Sequence, residues 1–164
     1  MKSNLEYAND LIRKAEDLVR KAEEEIKKTS LSYSNIISCC QMAIELSGEA
    51  IFKIVGLEYP KDHQLLLKKR TKETKYIGIK DEVRNLLKRG FPESFNKERI
   101  PRVLFLTHFW HNFYTLAKYG IEELNFPPDK LFTKEDTKLA LRHAKECTFV
   151  ADDLLYFERI EEVK

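Results

Sequence analysis

Two of the chain's four histidines, His108 and His111, stand three positions apart in the segment HFWHNFYTLAKYG, residues 108–120. Imidazole is the side chain that ordinarily titrates near neutral pH, so such a pair can act as acid, base or hydrogen-bond donor. On a helix at about 100° per residue, His108, His111, Thr115 and Lys118 form one line, with a cation two turns away that can hold a phosphate. Thr107, Asn112 and Tyr119 fall on that side, whereas Phe105, Leu106, Phe109, Trp110, Phe113, Leu116 and Ala117 fall on the other. The same sorting describes a ligand-facing surface and the plain polar side of an amphipathic helix. A metal on His108 and His111 would need further ligands that the sequence does not place, and none is expected.

The remaining histidines are more isolated. His63 follows Pro60 in a short helix expected from Asp62 to about Lys69, where it reads as a local hydrogen-bonding or ligand residue. His143 follows Arg142 on the last helix and reads as a surface residue. The chain has no G-x-x-x-x-G-K, G-x-G-x-x-G, H-E-x-x-H or G-x-S-x-G motif. Its five glycines argue against a glycine-built phosphate cradle.

The elements that position these residues are helical. Ser3 and Glu6 have capping-box spacing, and Leu5, Ala8, Ile12, Ala15, Val19, Ala22 and Ile26 then recur every three or four residues. Seven acidic and seven basic side chains share residues 2–28 with that stripe, as a half-buried helix requires. A second helix, roughly 32–55, is apolar nearly all round and so reads as central; Gly56 and Pro60 end it, and Gly48 permits a close neighbour. Asp81 opens a short helix through Leu86, stopped by Gly90 and Pro92. Pro101 suits the first turn of a helix running to about Tyr119, and Thr133 caps a last helix over about 134–160. No convincing strand pattern or internal repeat is present. The fold expected is all-α, an up-and-down bundle of four to five main helices plus short ones, in one domain over 1–164.

At 164 residues with 34% charged and 43% hydrophobic side chains, the chain can bury a core and is neither disordered-like nor membrane-like. No apolar run approaches the ~18 residues of a membrane span, and the N-terminus lacks a signal-peptide core, so a cytoplasmic protein is expected. Cys39, Cys40 and Cys147 form no C-x-x-C pair and read as reduced thiols. The net charge of +2 conceals a basic segment: residues 61–90 hold ten Lys or Arg against four Asp or Glu. Its densest part, within a linker expected over about 68–80, reads as a solvated connector that can also attract phosphate or RNA.

Taken in order, several segments resemble the HEPN superfamily, the small helical domain named for higher eukaryotes and prokaryotes nucleotide-binding. They are the amphipathic first helix, AIELSGEAIFKIVG with Ala43, Glu45, Ala50 and Lys53, YPKDHQLL with His63, YTLAKYG, and FPPDKLFTKEDTKLALRHAKE. The resemblance covers about residues 5–157 and implies a helical bundle that usually dimerises. It implies either a nucleotide-binding or regulatory partner of a small nucleotidyltransferase, or a metal-independent ribonuclease of the toxin kind. The ribonuclease signature is an Arg, four to six residues, and a His, whose chemistry handles the 2′-hydroxyl or leaving-group proton while the Arg stabilises phosphorane charge. Arg102 and His108 have that spacing, but Val103 stands where the signature favours a polar residue. On a regular helix the two also point about 120° apart. The family's Arg-Tyr-Pro is Lys118-Tyr119-Gly120 here, which keeps the cation and loses its planar fork.

The reading that follows is a non-catalytic nucleotide- or partner-binding regulatory module, a homodimer that needs no cofactor. His108, His111, Thr115, Lys118, Tyr119 and His63 are its ligand-binding candidates, and a small nucleotidyltransferase or RNA its macromolecular partners. A metal-independent endoribonuclease using Arg102 and His108, as in a toxin–antitoxin pair, is the first alternative. A purely structural dimer or adaptor with exposed Tyr114 and Tyr119 is the second.

Overall fold

A computed structural model describes residues 2–68 and 77–163. Its elements are α1 (Lys2–Ile26), α2 (Tyr33–Ile54), β1 (Leu66–Lys68), β2 (Ile77–Ile79), α3 (Asp81–Lys88), α4 (Ile100–His111), α5 (Tyr114–Tyr119), α6 (Pro128–Leu131) and α7 (Lys134–Val163). The architecture is an all-α helical bundle, and no helix of the described residues is long and apolar enough to cross a membrane.

Side-chain pairs give the helix directions. Glu23 of α1 pairs with Lys145 of α7, while Asn4 and Leu5 share a crevice with Ile54, Glu158 and Glu162, so α1 runs opposite to both α2 and α7. Along the α4–α7 contact, Arg99 meets Asp153 at 2.9 Å, Arg102 meets Glu146, and Trp110 meets His143 at 3.1 Å. Chain order rises on one side as it falls on the other, so these helices are antiparallel. The result is an up-down-up-down arrangement of α1, α2, α4 and α7.

The sequence stripes explain the packing. From α1, Leu5, Ala8, Ile12, Ala15 and Ala22 are buried, with Val19 and Ile26 partly so. From α7, Ala140, Ala144, Cys147, Val150, Ala151 and Leu154 are buried. Helix α2 lies between them and buries residues all round, from Ile36 to Phe52. Gly48 of α2 faces Thr107 of α4 so closely that a Cβ would stand 2.8 Å from the Thr107 hydroxyl. At the start of α2, Ser32 accepts from the Asn35 N–H, and Asp129 accepts from Ser32, from the Ser34 hydroxyl and from the Ser34 N–H. This ties the α6 turn to an otherwise unsatisfied helix end. Thr133 and Asp136 cap α7 reciprocally, as expected. Helix α1 already includes Ser3, so its start lies one step before the capping-box reading.

Four expectations are corrected. The helix expected from Asp62 is a turn followed by β1, which pairs antiparallel with β2 in register Leu66↔Ile79 and Lys68↔Ile77. Two local bonds set this turn, His63 N–H to Pro60 carbonyl and Gln64 N–H to the Asp62 carboxylate, and the left-handed backbone of His63, φ 57°, is incompatible with a helix. The basic linker therefore contributes strand residues at both ends, and its residues 69–76 lie outside the described ones.

The helix expected over 101–119 is two helices. After His111 the Asn112 side chain donates back to the His108 carbonyl at 2.8 Å, and the Phe113 N–H bonds to the Trp110 carbonyl at 3.0 Å, a tighter turn than the helix before it. The polar and apolar sides also differ from expectation. Thr107 is 1% exposed and bonds to the Val103 carbonyl, a burial made possible by Gly48. Phe105 and Phe109 are exposed and stack on each other at 6.1 Å. His143, read from sequence as a surface residue, is buried and accepts from the Trp110 indole N–H.

Candidate functional site

Helix α2 carries Gln41 and Glu45 one turn apart within its apolar surroundings, and both are at least half-buried. The Gln41 amide donates to Glu45 Oε2 at 2.8 Å, which orients the carboxylate. Against that carboxylate the fold brings two imidazoles from different parts of the chain. His63 comes from the turn after Pro60, with Nδ1 2.8 Å from Glu45 Oε1. His111 is the last residue of α4, with Nδ1 3.6 Å from Glu45 Oε2. The rings stack, with centroids 5.8 Å apart and planes 20° from parallel.

The backbone at His63 belongs to this arrangement. A left-handed conformation at a non-glycine residue costs about 1–2 kcal/mol and persists only where its surroundings impose it. Behind His63 stands Tyr59, buried, its ring 5.6 Å from the imidazole and edge-on to Phe52 at 5.4 Å. Its hydroxyl has no hydrogen-bond partner among the described residues. Burial, reinforced by the charges of Glu45, Glu49 and Asp62, pushes the phenol far above its ordinary range, so it stays protonated.

Gln41, Met42, Glu45, His63, His111 and Tyr114 line an open cavity of about 310 Å³. On α5, Lys118 lies 3.5 Å from the hydroxyl of the lining Tyr114 and 5.2 Å from the centre of the Tyr119 ring. Bonds to Tyr119 and Tyr114 hold its ammonium above the ordinary lysine range. The cavity thus has a carboxylate–imidazole floor and a partly apolar wall in Met42 and Tyr114, and the Tyr114 hydroxyl has a cation, Lys118, beside it.

Of the residues singled out from sequence, His63 and His111 converge here, and Lys118 and Tyr119 stand beside the site. His108 is half-buried on α4 and does not line the cavity, and Thr115 is exposed on α5. Arg102 is engaged elsewhere: both ends of its guanidinium bond to Glu146 of α7, which raises the guanidinium and lowers the carboxyl. Among the described residues, no group of three or more His, Cys, Asp or Glu is arranged to hold a metal ion. Gln41 and Tyr59 were not anticipated as site residues, and Glu45 entered only through the family resemblance. A signal for the first and last was present: Gln41, Glu45 and Glu49 recur every four residues on a helix otherwise apolar nearly all round, and buried polar side chains at such spacing require partners.

No protein-family model, curated protein or solved structure matches the chain.

Proposed function

We propose that the chain is a HEPN-like regulatory module that binds a nucleotide in the cleft formed by α2, the Pro60–His63 turn, α4 and α5. The observation that carries this reading is the convergence of His63 and His111 on Glu45 around a cavity whose Tyr114 has Lys118 beside its hydroxyl. A volume of about 310 Å³ lies at the small end of the range for ligand sites and suits one nucleotide. Met42 and Tyr114 offer apolar surface to a base, and Lys118 offers its charge to phosphate oxygens. The floor suits the sugar hydroxyls, since an unprotonated imidazole accepts hydrogen bonds. On this reading the module works as a homodimer beside a nucleotidyltransferase, as its resemblance implies.

The test is calorimetry and thermal shift with a panel of ribonucleotides in chelator. A nucleotide at 100 times its dissociation constant should stabilise the fold by about 2.7 kcal/mol. Lys118→Ala and His111→Ala should each weaken binding by on the order of tenfold while the apo protein still melts cooperatively. A wild-type protein that responds to no nucleotide overturns the proposal.

A further inference from the structure

Glu45, His63 and His111 form two carboxylate–imidazole pairs that share one carboxylate, each Nδ1 facing a different oxygen. Neither Nδ1 makes a hydrogen bond of good geometry to Glu45, so proximity and ring stacking hold the two imidazoles beside the carboxylate and leave their proton-exchanging nitrogens available to a ligand. Two imidazoles, the side chain that can serve as either acid or base, therefore stand in one cavity, on rings 5.8 Å apart. A site that only held a nucleotide would need neither the second imidazole nor the costly backbone conformation that delivers His63.

We propose that this cleft hydrolyses a small cyclic phosphodiester, a nucleoside 2′,3′-cyclic monophosphate. The inference rests on the nucleotide-binding reading and adds a reaction to it. The cavity admits one nucleotide. A phosphodiester contained within a single nucleotide is cyclic, and the five-membered ring is strained toward opening. In the reaction, a water oxygen forms a bond to phosphorus while the unprotonated imidazole takes the water proton. The bond from phosphorus to one ribose oxygen breaks, and the imidazolium gives its Nε2 proton to that oxygen. The product is a nucleoside 2′- or 3′-monophosphate, and one proton has passed from one ring to the other. Lys118, held beside Tyr114, would offset the charge that grows on the phosphoryl oxygens. Glu45 is a positioning residue, since it acts through both rings.

The full chain is incubated in chelator with each of the four nucleoside 2′,3′-cyclic monophosphates. Products are separated by chromatography, and binding of the same compounds is followed by calorimetry. At least one compound should be opened, and His63→Gln and His111→Gln should each lower kcat by on the order of 10²–10⁴ with melting preserved. Glu45→Gln should lower kcat with little change in KM. Hydrolysis that persists in both histidine variants overturns the inference. Binding of a cyclic nucleotide without turnover also overturns it and leaves the binding proposal standing, whereas neither binding nor turnover of any nucleotide overturns both. Should a variant fail to melt cooperatively, acylating the wild-type imidazoles with diethyl pyrocarbonate provides the same test. Full activity after modification of His63 and His111 overturns the inference.

Discussion

His63 occupies a backbone conformation that favours glycine, and it does so where its ring meets Glu45. If that conformation serves the site, His63→Gly should relieve strain while it removes the imidazole. Its stability is expected within about 1 kcal/mol of wild type by urea denaturation, with nucleotide affinity down by on the order of tenfold. A large loss of stability would instead make His63 a structural residue. His143 is the opposite kind of histidine. Burial first, and Arg102 second, hold it below its ordinary 6.5, with Glu146 opposing and Arg142 adding a smaller push downward. Its Nδ1 must stay unprotonated to accept from Trp110. On acidification the unfolded chain takes up this proton before the folded chain does. The contribution is therefore complete above pH 6.5 and lost as pH falls below it. Denaturation midpoints should drop as pH falls below about 6.5, and His143→Gln should flatten that drop.

Among the elements, α2 decides most. It supplies Gln41 and Glu45 to the site while burying apolar residues against α1, α7 and α4. Its contact with α4 depends on Gly48, because Thr107 is buried with its hydroxyl fixed on Val103 and cannot swing away. Gly48→Ala gains about 0.5–1 kcal/mol of helix preference and meets overpacking worth about 1–3 kcal/mol. A net loss of about 1 kcal/mol is expected, and because α4 ends at His111, the cavity should change shape with it. A variant as stable as wild type would show that the two helices separate without cost. The interruption after His111 matters equally. It ends α4 at the imidazole and starts α5 at Tyr114, so that one residue lines the cavity wall and Lys118 lies a turn further on.

At the scale of the whole molecule, α1, α2 and α7 pack along their lengths, whereas α3 buries only Val83 and Leu86, and β1 and β2 pair three residues each. Hydrogen exchange should follow that difference. Amides of α2 and the middle of α7 are expected to exchange only by global unfolding, and those of α3 and the two strands by local opening. Protection in α3 equal to that in α2 would contradict it. The site spans both regimes, since Glu45 belongs to the central helix and His63 to the turn that leads into β1. A bound nucleotide that bridges them should slow exchange in the turn more than in α2.

The bundle was legible from sequence because burial on α1 and α7 follows helical periodicity, which needs no knowledge of partners. The same holds for the cap at Thr133 and for the end of α2 at Gly56, both local chemistry. The strand pair was not legible, since Leu65–Leu67 fits a helix or a strand and only Ile77–Ile79 alongside selects the strand. Nor did helical periodicity predict the break after His111, where the Asn112 side chain bonds back to the His108 carbonyl and the Phe113 N–H to the Trp110 carbonyl. The histidine candidates could be named, but their grouping could not. His108 and His111 are neighbours in sequence, yet it is His111 and His63 that share Glu45, because α2 and α4 are antiparallel and the Pro60–His63 turn folds back over them. Residue types and spacing determine which helices form and which side chains can exchange protons; which of those side chains meet depends on packing between distant segments.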